Sequence, residues 1–65
     1  MSTYVVTVCG WLAENEYQYG GTPEYVEGLT VEAPSFRAAE TFAIALFGLK
    51  RPDCTHIEAD NVTEI

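Results

Sequence analysis

A chain of 65 residues is enough for one domain and no more, and a core of that size leaves a stability margin of roughly 3–5 kcal/mol. Apolar residues make up 48% of the chain and charged residues 20%, a globular balance that excludes disorder as the default. So short a chain has little room for a deep pocket lined with matched polar groups, which argues against an enzyme. Ten Asp and Glu stand against three Lys and Arg, a net charge of −7, and a field of that sign repels nucleic acid and anionic membrane and draws basic protein surfaces.

Met1-Ser2-Thr3 lacks the basic start of a secretory signal, and residues 4–12 are too few to span a bilayer. Cys9 and Cys54 are too few for a disulfide scaffold. The expected setting is therefore cytoplasmic, with reduced thiols. For a viral protein that means the host cytoplasm.

Tyr4-Val5-Val6-Thr7-Val8-Cys9 is a β-branched run that predicts a first strand, extending to Leu12 past a bulge at Gly10. Residues 13–23 hold Glu14-Asn15-Glu16, Gly20-Gly21 and Pro23, the punctuation of a long polar loop or hairpin tip. Residues 24–32 predict a second strand, in which Leu29, Val31 and Ala33 alternate with Gly28, Thr30 and Glu32. The period then changes. Ser35 is a good N-cap, and Ala38, Ala39, Phe42, Ala43, Leu46 and Leu49 recur at helical spacing. The helix is expected over residues 35–47, ended by Gly48 in a left-handed C′ position, with Lys50-Arg51 beside its negative end and Pro52 barring continuation. Residues 55–65 return to strand chemistry. Ile57 and Ala59 share one face, and a kink at Asp60-Asn61 hands the inward side to Val62 and Ile65.

The order β-β-α-β predicts an α+β domain spanning residues 1–65. Its three antiparallel strands take the order 2-1-3, with a right-handed crossover and the helix on one face. Tyr4, Val6, Val8, Leu29, Val31, Ala39, Phe42, Ala43, Leu46 and Ile57 form the expected core, so that Phe42→Ala costs about 3–5 kcal/mol.

Cys54-Thr55-His56 sets two metal-ligand types two apart on a strand, facing one way, with Cys9 on the neighbouring strand. Paired Cys-x2-Cys spacing and a fourth ligand are both lacking, so neither metal nor cofactor is expected. A Cys–His nucleophile would need a cleft and an oxyanion donor set that a sheet with one helix does not offer, and no catalytic residue is assigned. The loop carries Trp11, Tyr17, Tyr19 and Tyr25 interleaved with Glu14, Glu16 and Glu24. Rings supply contact area and acids supply steering, which suits docking on a basic protein surface. The plainer reading has Trp11 and Tyr25 capping the core. The uncovered sheet face is the second candidate. It shows Val5, Thr7, Cys9 and Trp11 down the centre, Val26, Gly28, Thr30 and Glu32 on one side, and His56, Glu58 and Asp60 on the other. The candidate partner-binding residues are therefore Trp11, Glu14, Glu16, Tyr17, Tyr19, Glu24, Glu32, Glu58 and Asp60.

The stretch Tyr25-Val26-Glu27-Gly28-Leu29-Thr30-Val31-Glu32-Ala33-Pro34-Ser35-Phe36-Arg37-Ala38-Ala39-Glu40 resembles the strand, Ser cap and Ala-rich helix start common among bacteriophage host-takeover proteins. These include anti-CRISPR proteins and phage inhibitors of host RNA polymerase. The resemblance lies in architecture and acidity, and no residue role is carried over from it. What it implies is non-enzymatic inhibition of a nucleic-acid-handling complex, by steric block or charge mimicry. The alternative is a self-associating structural or adaptor subunit, a homodimer through the open face or the sheet edge.

Overall fold

The computed structural model describes residues 1–12 and 22–65. Strand β1 (Ser2–Leu12) is followed by β2 (Tyr25–Ala33), α1 (Phe36–Lys50) and β3 (Cys54–Glu64). The sheet order is β2-β1-β3 with both pairings antiparallel, as the sequence predicts. Most of the predicted loop, residues 13–21, lies outside the described residues. Among the described residues no helix is long and apolar enough to cross a membrane.

The helix begins where its cap residue places it. Ser35 is extended (φ −157°, ψ 166°), and its hydroxyl accepts a hydrogen bond from the Ala38 N–H at 3.2 Å. It ends later than expected. Gly48 lies inside α1 and does not take the left-handed conformation. The closing bond instead runs from the Arg51 N–H to the Phe47 carbonyl at 2.8 Å, and Pro52 then blocks continuation. Two contacts to β2 hold this extra turn down. Lys50 Nζ reaches Glu27 Oε2 at 3.1 Å, and the Arg51 guanidinium lies 4.4 Å from the centre of the Tyr25 ring.

The core lies between one sheet face and one helix stripe. Tyr4, Val6 and Val8 of β1 and Val31 and Ala33 of β2 meet Ala39, Ala43 and Phe47 of α1. Leu29, Ile57, Ala59 and Val62 are half-buried against them. Phe42 and Leu46, expected in the core, are 44% and 45% exposed, while Phe47 is fully buried. The cause is geometric. Alanines at 39 and 43 let the helix approach the sheet closely, and the i, i+4 stripe through them arrives at Phe47 one turn later. The bulkier 42/46/49 stripe is thereby turned to the flank.

Phe47 has a fitted socket. A Cβ added at Gly10 would lie 2.6 Å from Phe47 Cε1 and 2.8 Å from Cys54 Sγ. Gly10 is therefore not the site of a bulge. It leaves the gap in β1 into which the ring fits.

The bulges sit in β3. Thr7 pairs with Asn61 but Val8 with Ala59, leaving Asp60 as an extra residue. This is the predicted kink, and it turns Val62 inward to pair with Val6. Ile65 does not follow; it lies beyond the strand and is largely exposed. A second shift, with Trp11 opposite His56 but Leu12 opposite Cys54, makes Thr55 the extra residue.

Five substitutions test this packing by urea unfolding. Phe47→Ala should cost about 3–5 kcal/mol, whereas Phe42→Ala should cost less than about 1.5. Gly10→Ala should destabilise by about 1–3 kcal/mol through overpacking, and Phe47→Leu in the same chain should recover part of the loss. Gly48→Ala should stabilise by about 0.5–1 kcal/mol, because the added Cβ meets only Ile57 Cδ1 at 3.6 Å.

Candidate interaction face

With α1 on one side of the sheet, the other side is open among the described elements. Alternation and register place Val5, Thr7, Cys9 and Trp11 along its centre. Val26, Gly28, Thr30 and Glu32 lie on the β2 side, and His56, Glu58, Asn61 and Thr63 on the β3 side. Val26 pairs with Cys9 and is well exposed. Glu32, Glu58 and the bulged Asp60 are all exposed. The sheet thus brings three of the predicted docking acids to one face and its β3 margin, beside a half-buried apolar strip.

The other predicted residues fare differently. Glu14, Glu16, Tyr17 and Tyr19 lie outside the described residues. Glu24 is engaged at the mouth of the β1–β2 hairpin. Its Oε1 accepts from the Leu12 N–H at 3.3 Å, and its own N–H donates to the Gly10 carbonyl at 3.0 Å. Trp11 is only 4% exposed, with its ring tilted against His56 at a centroid separation of 5.3 Å. In this conformation it offers little area to a partner. Tyr25 packs against the core and its hydroxyl donates to Asp53 Oδ2 at 3.4 Å.

The bulge at Thr55 separates the cysteine–histidine set. Without it, Cys54 and His56 would share a face. With it, His56 pairs with Trp11 on the open side, while Cys54 packs on the helix side beside Gly10 and Phe47. Cys9 faces the open side, so the two free thiols lie on opposite faces of the sheet. Among the described residues no three metal-ligating side chains are gathered. On the open face His56 Nε2 instead meets Glu58 Oε2 at 2.6 Å.

Burial pushes the Cys9 thiol above its ordinary value of 9.0, and Asp60 and Glu58 push it further. Burial, then Asp53, raises Cys54 too, with Arg51 opposing. A thiol held protonated is a poor nucleophile at neutral pH, so the environment of Cys9 is the reverse of what an activated cysteine needs.

A second surface escaped sequence reasoning. Phe42, Ala45, Leu46 and Leu49 of α1, with Thr30–Glu32 of β2, line a shallow, almost wholly apolar groove of about 520 Å³. Leu49 is 81% exposed there. The signal for it was present: within α1 only Arg37, Glu40, Thr41 and Lys50 are polar, so the helix is apolar around most of its circumference and one sheet cannot cover all of it.

No family model, curated protein or solved structure matches this chain.

The raised thiols set an alkaline limit. A group whose folded pKa exceeds its unfolded one adds stability that is whole below the unfolded value, here 9.0, and is lost as pH rises through the folded value. Stability to urea should therefore fall above that pH, and Cys9→Ala should remove part of the fall. At fixed pH, Asp60→Asn should speed alkylation of Cys9. Unchanged alkylation would mean that Asp60 does not act on the thiol.

Proposed function

We propose that this protein is a non-enzymatic binding protein that docks its open sheet face on a basic surface of a nucleic-acid-handling complex, where its carboxylates occupy the places of phosphates. One observation carries the reading: the charges are segregated. All three Lys and Arg belong to α1 or its C-cap. No strand contains any, nor do residues 13–21. Lys50 and Arg51 are drawn down onto Glu27 and Tyr25, and Arg37 lines a groove between α1 and β3 with Glu40 and Glu58. The open face carries Glu32, Glu58 and Asp60 with His56 as its one titratable base. Such a face attracts cationic surfaces and repels nucleic acid itself.

The apolar strip supplies what charge alone does not. Acids steer the encounter over a Debye length of ~8 Å at physiological salt, and buried contact sets the lifetime of the complex. This is the action expected of a phage inhibitor of a CRISPR effector or of RNA polymerase. The alternative of a self-associating subunit is favoured by the apolar groove beside β2.

Two charge-matched variants test the reading on whatever complex the tagged protein captures from bacterial lysate. Glu32→Lys, Glu58→Lys and Asp60→Lys together should slow association at least about tenfold, with the difference shrinking as salt rises. Glu40→Lys, Asp53→Lys and Glu64→Lys change net charge equally and should slow it far less. DNA should compete with the wild-type protein for the captured complex. Equal losses in the two triple variants, or no competition by DNA, would refute docking through this face.

A further inference from the structure

The two edges of the sheet are unlike. The β3 edge is broken by two bulges, at Thr55 and Asp60, and bulges are a common protection against edge-to-edge pairing. Among the described residues the β2 edge is less protected, its charges being Glu27, tied to Lys50, and Glu32. It pairs with β1 in unbroken register from Ser2–Ala33 to Gly10–Tyr25, and Tyr25–Ala33 contains no Pro, Lys or Arg. Directly above this edge runs the groove formed by Phe42, Ala45, Leu46 and Leu49 against Thr30–Glu32. An open strand edge and an uncovered apolar helix flank therefore lie side by side on the same margin of the molecule.

The geometry points to a second copy of this chain as the occupant, paired antiparallel through β2 about a two-fold axis. Such an axis sets the same patch against itself, as an isologous interface requires. The two sheets would join as one of six strands, and the two helices would lie antiparallel over it with their 42/46/49 stripes facing. Registers centred on Leu29, Thr30 or Val31 place no glutamate of β2 opposite another, since Glu27 and Glu32 then both meet uncharged positions. A standard interface takes about 800 Å² from each partner, and the chain exposes 4067 Å². The β3 side of the open face stays clear of such a dimer, so self-association does not compete with docking through Glu58 and Asp60; Glu32 lies on the β2 margin itself.

Salt separates the two interfaces. Each copy carries −7, so the dimer is held by apolar contact against charge repulsion and should tighten as salt rises. Docking on a basic surface should weaken. Sedimentation equilibrium of the full chain at low and high salt should show a monomer–dimer equilibrium that shifts toward dimer with salt. Leu46→Asp and Leu49→Asp should each raise the dimer dissociation constant at least about thirtyfold, the size of a hot-spot loss. Both positions are exposed in the monomer, and circular dichroism should confirm that the variants fold. Glu58→Lys with Asp60→Lys, both on β3 and away from the β2 margin, should leave the dimer intact while slowing docking.

Three results would overturn the inference. One is a wild-type chain that stays monomeric at millimolar concentration in high salt. A second is a dimer that survives both leucine variants. The third is a monomer whose β2 edge takes up an apolar partner peptide instead, seen as loss of peptide binding in Leu49→Asp. None of the three touches the docking reading, whose failure would show in the charge-matched variants or in the DNA competition.

Discussion

The fold turns on the fit between Phe47 and Gly10. A sheet of three strands with one helix has a single interlayer, and in this chain the helix meets it mainly through alanines. Alanine gives close approach but buries little apolar area. The one large side chain that α1 buries fully is Phe47, and a phenyl ring cannot enter so tight an interlayer unless the opposing strand yields its volume. Gly10 yields it, at the cost of a strand position with no side chain to pack. That fit fixes the rotation of α1 against the sheet. It also determines which helix flank is left uncovered.

Much of this architecture was legible in the residues. The β-branched run of β1, the alternation in β2, the cap at Ser35 and the kink at Asp60 each have a local cause, and each appears where that cause places it. What was not legible was the choice between two helical stripes. Residues 39/43/47 and 42/46/49 are both apolar and lie one residue apart around the helix. Periodicity ranks them by bulk and favours Phe42 and Leu46, whereas packing ranks them by fit to the opposing surface and selects Ala39, Ala43 and Phe47. Glycine misled twice for the same reason. Gly48 reads as a stop signal and Gly10 as a bulge, because sequence rules treat glycine as backbone freedom. Here one is an ordinary helical residue and the other is a space for a ring.

The bulge at Thr55 shows how far one inserted residue reaches. The expectation that Cys54 and His56 share a face rests on strict alternation, which holds only within an unbroken register. The extra residue sends the thiol into the core and the imidazole to the open side. It separates the members of a conceivable metal or nucleophile set and leaves His56 to Trp11 and Glu58. The candidate face survives this because its acids come from elsewhere. Glu32 and Glu58 sit within regular stretches of their strands, and Asp60 is displayed by the bulge itself.

Segregation of charge is a sharper feature than net charge. An acidic protein with its few cations scattered would present much the same potential on every side. Here the cations sit on the helix and its end, and two of them bend onto β2, so they serve the closure of the fold. Surface ion pairs of this kind contribute little stability, up to about 1 kcal/mol. Their larger effect is on the field, because the neutralised side is the helix side and the sheet side keeps its acids unopposed by any Lys or Arg of its own strands. The apolar groove between α1 and β2 opens toward the helix side, with Glu32 on its rim, while Glu58 and Asp60 lie on the far strand. One charge pattern thus suits both proposed surfaces: it would lower the barrier to contact along the β2 margin and would raise the pull toward cationic partners on the open face.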